Sequence, residues 1–200
     1  KVGEYIIKNK EIIGLFDTFC MGMINGVFPQ QAMINIGMPI ESLSQSALLV
    51  EMAKVPTELR EACLQWYEDN GMTFMFGQDD KTELTREQVM EQCAMMIAMA
   101  RFVKRFGLTA VGVQYQQGLK DCCPASDFAE GAIGSSARFP LPDEIGEIIC
   151  PNTPIPCINE VDMGTAIPQT MLWRLLTSLG LPAETTLHDI RWGSEYEGTF

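Results

Sequence analysis

The sequence predicts an α/β domain, a mainly parallel sheet flanked by helices, built as a single unit over residues 1–200. Three observations carry this. Helical and strand-like periods alternate with short links through the middle of the chain, as parallel βαβ units require. The strand-like segments are continuous apolar runs, the pattern of strands covered on both faces. Apolar residues make up 46% of the 200 and charged ones 20%, enough for a sizeable core and too apolar for a disordered chain.

The elements follow in order. After Ser42, Leu43, Ala47, Val50 and Val55 recur at the helical period until Pro56 stops the run. A second helix begins near Thr57, carries Leu59, Cys63, Trp66 and Tyr67 on one side, and ends at Asn70-Gly71, where glycine takes the left-handed closing conformation. Met72 to Phe76, short, apolar and bounded by Gly77, reads as a buried strand. Thr85 with Gln88 forms a capping-box signature for the clearest helix in the chain, which runs through Val89, Met90, Cys93, Ile97, Ala100 and Val103 to Phe106-Gly107. Leu108 to Tyr115 is a second buried strand. From 131 to 157 prolines and glycines cluster, which predicts an irregular functional or interface excursion. A strand at Ile155–Val161, a helix from about Thr165 to Leu179 closed by Gly180, and a strand at Thr186–Trp192 complete the series.

Composition removes several function classes. Fourteen Lys and Arg against 26 Asp and Glu give a net charge of −12, so nucleic acid and anionic membrane surfaces are not expected partners. The uncharged stretch Thr18–Ile40 is long enough to span a bilayer, but its glycines, prolines and amides would be unsatisfied in hydrocarbon. It reads as a buried loop or interface segment, and no membrane association is expected. Seven cysteines without a CxxC pair suggest reduced thiols and a cytoplasmic location. With His188 as the one histidine, a His-rich zinc site is excluded. The sequence opens on Lys1 with no signal-peptide pattern and is expected to be an excerpt of a longer chain.

In open parallel sheets ligands gather beyond the carboxyl ends of the strands. The segments there carry Gln114, Gln116, Gln117, Lys120 and Asp121, then Glu130, then Glu160 and Asp162, and finally His188, Asp189, Arg191 and Trp192. Carboxylates and amides with almost no histidine make an oxygen-ligand set, suited to Mn²⁺ or Mg²⁺ rather than Zn²⁺. Each has a structural reading as well. Asp127 and Glu130 fit a capping box, Asp162 fits a helix N-cap, His188 fits a structural strand residue, and Trp192 either stacks on a sugar ring or fills space under the chain end.

The strings FCMGMINGVFPQQAMINIGMPIESLSQSALLVEMAKV, GVQYQQGLKDCCPASDFAEG, INEVDMGTA and TLHDIRWG make the chain similar to the central part of the L-fucose isomerase family, which includes D-arabinose isomerases. The resemblance runs from about Phe16 to Phe200, with ASDFAEG and NEVD its sharpest motifs. It implies a part of a larger multidomain enzyme that forms homo-oligomers. Family members hold one Mn²⁺ (or Mg²⁺) with a Glu, an Asp and a His. The first two correspond to Glu130 and Asp162, and the His belongs to a C-terminal domain with no counterpart here, so the role does not pass to His188. The implied activity is aldose–ketose isomerisation of a small sugar such as L-fucose or D-arabinose through a cis-enediol. Glu130 and Asp162 would be ligands and proton carriers, Gln116, Gln117 and Trp192 would contact the sugar, and the fragment would be inactive alone. The alternative is a sugar-binding or regulatory α/β module that has lost the chemistry.

Overall fold

The structure, a computed structural model, describes residues 1–18 and 27–185. In chain order the elements are α1 (Val2–Asn9), β1 (Ile13–Phe16), α2 (Gln30–Asn35), β2 (Ile40–Leu43), α3 (Gln45–Ala53), α4 (Thr57–Asp69), α5 (Arg86–Phe106), β3 (Ala110–Val113), α6 (Asp127–Ile133), β4 (Cys157–Asn159) and α7 (Met163–Ser178). A single 3-10 turn occupies Leu119–Asp121. The four strands are all parallel, in the order β2-β1-β3-β4, so the α/β expectation holds. Register sets Phe16 opposite both Leu43 and Val113, and Val113 opposite Asn159, which brings the carboxyl ends to one level.

Strands this short are stable only when covered on both faces. On one face Phe16, Leu43, Val111, Val113 and Cys157 join the larger core with α3, α4, α5 and α6. On the other, Ile13, Leu15, Ala110 and Ile158 meet Ile6 of α1, Met33 of α2, and Met163 and Ala166 of α7. The alternation of partners along β1 and β3 is the period of two expected of a pleated strand.

Helix α5 is the best-specified element. Its capping box is formed: Thr85 Oγ1 accepts from the Gln88 amide at 3.3 Å while the Gln88 side chain accepts from the Thr85 amide at 2.9 Å. Gly107, at φ 62°, closes it in the left-handed conformation. Its buried Arg101 donates to Glu51 of α3 at 3.3 Å, an ion pair that ties the two helices inside the core. Another close approach depends on Gly37, at φ +82°. A Cβ there would lie 2.5 Å from the Ile6 carbonyl oxygen of α1.

Three expectations change. Met72–Phe76 is not a strand: it pairs with none of the four strands, and Phe74 and Phe76 stack on each other at 5.5 Å, with Phe74 also edge-on to Phe128, while Met75 is 85% exposed. The first helix after Ser42 starts later, at Gln45 under an N-cap from Ser44, because Leu43 closes β2. The Thr18–Ile40 stretch contains α2, a short helix on the sheet, in its described part. The excursion from 131 to 157 is loop-dominated once α6 ends, as its prolines require. The expected strand Thr186–Trp192 lies outside the described residues. No helix among the described residues is long and apolar enough to cross a membrane.

Buried on both faces and central in the sheet, the amides of Ala110–Val113 should be among the slowest to exchange with solvent, and fast exchange there by NMR or mass spectrometry would contradict the topology. Gly37→Ala should cost about 2 kcal/mol or more in chemical denaturation, from its positive φ and the backbone it would meet.

Candidate functional site

The level carboxyl edge of the sheet gathers the polar residues that follow β3 and β4. Asn159, the last residue of β4, donates from Nδ2 to Glu130 Oε2 at 3.0 Å. Glu130 lies on α6, and its Oε1 accepts from the Ser126 hydroxyl at 2.5 Å. That helix is set in place by Gln92 of α5, whose Oε1 accepts from the amides of Phe128 and Ala129, two of the orphan donors of the first helical turn. Among the described residues Glu130 thus has a neutral partner on each oxygen and no cation, and it is 6% exposed. Burial pushes its carboxyl up to about 7 from the ordinary 4.5, the two hydrogen bonds act against that, and the charges of Asp127 and Glu160 add to it.

Glu160 is next along the chain. Gln116, just past β3, donates from Nε2 to Glu160 Oε1 at 3.0 Å. Glu160 and Val161 both have positive φ, 49° and 56°. For the β-branched Val161 this is a strained conformation, of the sort that concentrates at functional sites. Asp162 is by position the N-cap of α7, as its structural reading held, yet its carboxylate makes no capping hydrogen bond; its carbonyl accepts from the amides of Thr165 and Ala166. The capping-box reading of Asp127 and Glu130 fails, because Ser126 is the N-cap and Asp127 opens the helix.

Nearer the β1–β3 junction, where the order of strands reverses, Gln114 is buried. Its carbonyl accepts from Gln45 Nε2, and its Oε1 accepts from the Gln117 amide at 3.1 Å, which fixes the orientation of the side chain. Its own Nε2 has no acceptor among the described residues, at a cost of about 1–3 kcal/mol. Gln117 is exposed and joins this cluster through its backbone. A cavity of about 690 Å³ opens beside the edge, between the N-terminal turn of α5 and residues 120–125, with Tyr115 and Gln92 on its wall.

Of the residues singled out from sequence, the structure brings Glu130 to the β4 strand end and Gln116 to Glu160, while Trp192 and His188 lie outside the described residues. Ser126, Asn159 and Gln45 were not singled out. The signal for Ser126 was its place four residues before Glu130, one helical turn. For Asn159 it was only its location at a strand end. Among the described residues no three His, Cys, Asp or Glu side chains are arranged to hold a metal ion. No protein-family model matches the chain, and no curated protein matches it significantly.

With a folded-state value near 7 against 4.5 unfolded, Glu130 binds its proton more tightly in the folded chain. Its contribution therefore favours folding at low pH and is lost as pH rises from about 4.5 to about 7, a change on the order of 3 kcal/mol. Glu130→Gln should flatten that part of the stability profile relative to the unsubstituted chain. Denaturation midpoints measured at pH 5 and pH 8 check it, and parallel profiles for the two proteins would refute it.

Proposed function

We propose that this chain is the central part of a metal-dependent aldose–ketose isomerase acting on a small sugar of the L-fucose or D-arabinose type. The observation that carries the reading is Glu130: a buried carboxyl at the carboxyl edge of a parallel sheet, held on both oxygens, with proton affinity near neutrality, as a carbon-acid base needs. The sequence resemblance supports it independently through ASDFAEG and NEVD.

Interconversion of aldose and ketose passes through a cis-enediol, in which a proton leaves one carbon and returns to its neighbour while the two oxygens exchange a second proton. Glu130 takes the carbon proton and returns it, and its Ser126 and Asn159 partners hold the carboxyl in place while its charge changes. Gln116 and Gln117 offer amides to sugar hydroxyls, with Trp192 assigned to the ring. An oxygen-only donor set built on Glu130 and Asp162 fits a hard divalent ion, Mn²⁺ or Mg²⁺, which when bound supplies Lewis-acid stabilisation of the two oxygens. Relief of the ionisation penalty at Glu130 favours a cation there.

Mn²⁺ titration of the 200-residue chain followed by electron paramagnetic resonance should show weak binding, reduced about tenfold or more by Glu130→Gln and by Asp162→Asn. Deuterium uptake at the sugar carbon next to the carbonyl, assayed in D₂O on L-fucose and D-arabinose, reads the proton transfer directly. The isolated chain should show none, and the enzyme that contains it should lose this uptake on either substitution. Equal Mn²⁺ binding by both variants, or uptake that survives Glu130→Gln, would remove the proposed roles.

A further inference from the structure

Away from the sheet edge, the 131–157 excursion folds back on itself through Arg138, which is 7% exposed. Its Nη1 donates to the Ser135 carbonyl at 2.5 Å, and its Nη2 donates to the carbonyls of Cys150 and Thr153 at 2.9 and 2.8 Å. These are neutral acceptors. They solvate the guanidinium without neutralising it, and they leave the Nε–H and one Nη1–H without a protein acceptor among the described residues. The missing counter-charge is not for lack of acids nearby. Asp143 and Glu147 of the same excursion are bound to Lys104, Glu144 is bound to Arg105, and Glu184 accepts from Ser136. In a chain carrying 12 excess negative charges, a buried cation is left without a carboxylate among the described residues.

Arg138 lines a cavity of about 260 Å³ whose other walls are largely apolar, among them Phe139, Leu141, Ile148 and Pro151. The turn that closes it holds two non-glycine residues in the left-handed region, Cys150 at φ 46° and Asn152 at φ 55°. Strain of this kind persists only where the surroundings fix it, here through the Cys150 and Thr153 carbonyls on Arg138. Pockets for drug-sized compounds run from roughly 300 to 1,000 Å³, so this one takes a molecule of a few carbon atoms.

We propose that the cavity is a binding site for a small organic carboxylate, its anionic head on Arg138 and its short apolar body against Phe139, Ile148 and Pro151. The site is separate from the Glu130 cluster, shares no residue with it and does not depend on its chemistry. A carboxylate supplies what the three carbonyls do not, a full negative charge for a guanidinium largely removed from water. The apolar walls favour a carbon chain over inorganic phosphate, which would have to shed its hydration against them.

Cys150 lines the cavity half-buried and serves as the reporter. The 200-residue chain is treated with N-ethylmaleimide at alkaline pH, since burial pushes the Cys150 thiol up, and labelling is read peptide by peptide by mass spectrometry. Butyrate at tens of millimolar should slow Cys150 labelling about threefold or more and raise the thermal midpoint. Butyramide, its neutral counterpart, and sodium chloride at equal ionic strength should do neither. Because Arg138→Met removes a stitch of the loop and threatens folding, the second variant is Ile148→Glu, at a position 45% exposed on the rim. It should abolish protection by butyrate, because its own carboxylate takes the ligand's place beside Arg138, and its ligand-free midpoint should not fall below that of the unsubstituted chain. Protection by butyramide or chloride equal to that by butyrate, no protection by butyrate, or protection that survives Ile148→Glu would each overturn the proposal.

Discussion

Burial of α5 on nearly all sides is the constraint from which the rest of the molecule follows. A 21-residue helix buried from Val89 to Val103 with scarcely a break has to be wrapped, and α3, α4, α6 and the sheet do the wrapping. The polar groups that α5 carries into that interior each need a partner, and the partners define the neighbours. Arg101 draws in Glu51 and so fixes α3. Gln92 accepts from the first amides of α6 and so fixes that helix two residues before Glu130. The candidate acid–base residue is positioned by a core glutamine on another helix, with no contact of its own to α5 required.

Much of this was legible in the sequence, and for physical reasons. The α5 boundaries were readable because both ends carry local chemistry, Thr85 with Gln88 at the start and Gly107 at the end, which needs no tertiary partner. β3 was readable because it is apolar throughout and follows that stop directly. β2 was not: Ile40-Glu41-Ser42-Leu43 mixes charge and hydroxyl because it is the edge of the sheet, with one neighbour and partial cover, and its Leu43 joins a helical period by coincidence. Met72–Phe76 misled in the opposite direction. Its apolar run is genuine, but aromatic rings can be buried by stacking on each other and on Phe128 as well as by joining a sheet.

The site divides along the same line. Placement of Glu130, Gln116 and Asp162 beyond strand ends follows from topology, which the sequence periods imply. Their partners do not. That Glu130 takes Ser126 and Asn159, rather than reaching back as a capping-box glutamate, depends on where α6 meets β4, a contact between segments 29 residues apart. Backbone strain was equally invisible, since nothing in the letters of Asn-Glu-Val-Asp announces two left-handed residues in succession.

That strain gives the end of β4 its function as a divider. In an extended strand successive side chains point to opposite faces, so Asn159 and Glu160 would separate across the sheet. Leaving the strand through Glu160 and Val161 in the left-handed region turns the chain sharply before α7 begins at Met163. Asn159, at the end of β4, stays facing α6, where it holds Glu130, while Glu160 is delivered to Gln116 on the neighbouring strand end and still close enough for its charge to act on Glu130. A single two-residue turn thereby couples the loops after β3 and β4 and adds a neighbouring charge to the burial that chiefly raises the proton affinity of the Glu130 carboxyl. Replacing Val161 by glycine would relieve the strain and free the turn at once, which makes the stiffness of this junction, rather than the identity of its side chain, the property that the left-handed valine supplies.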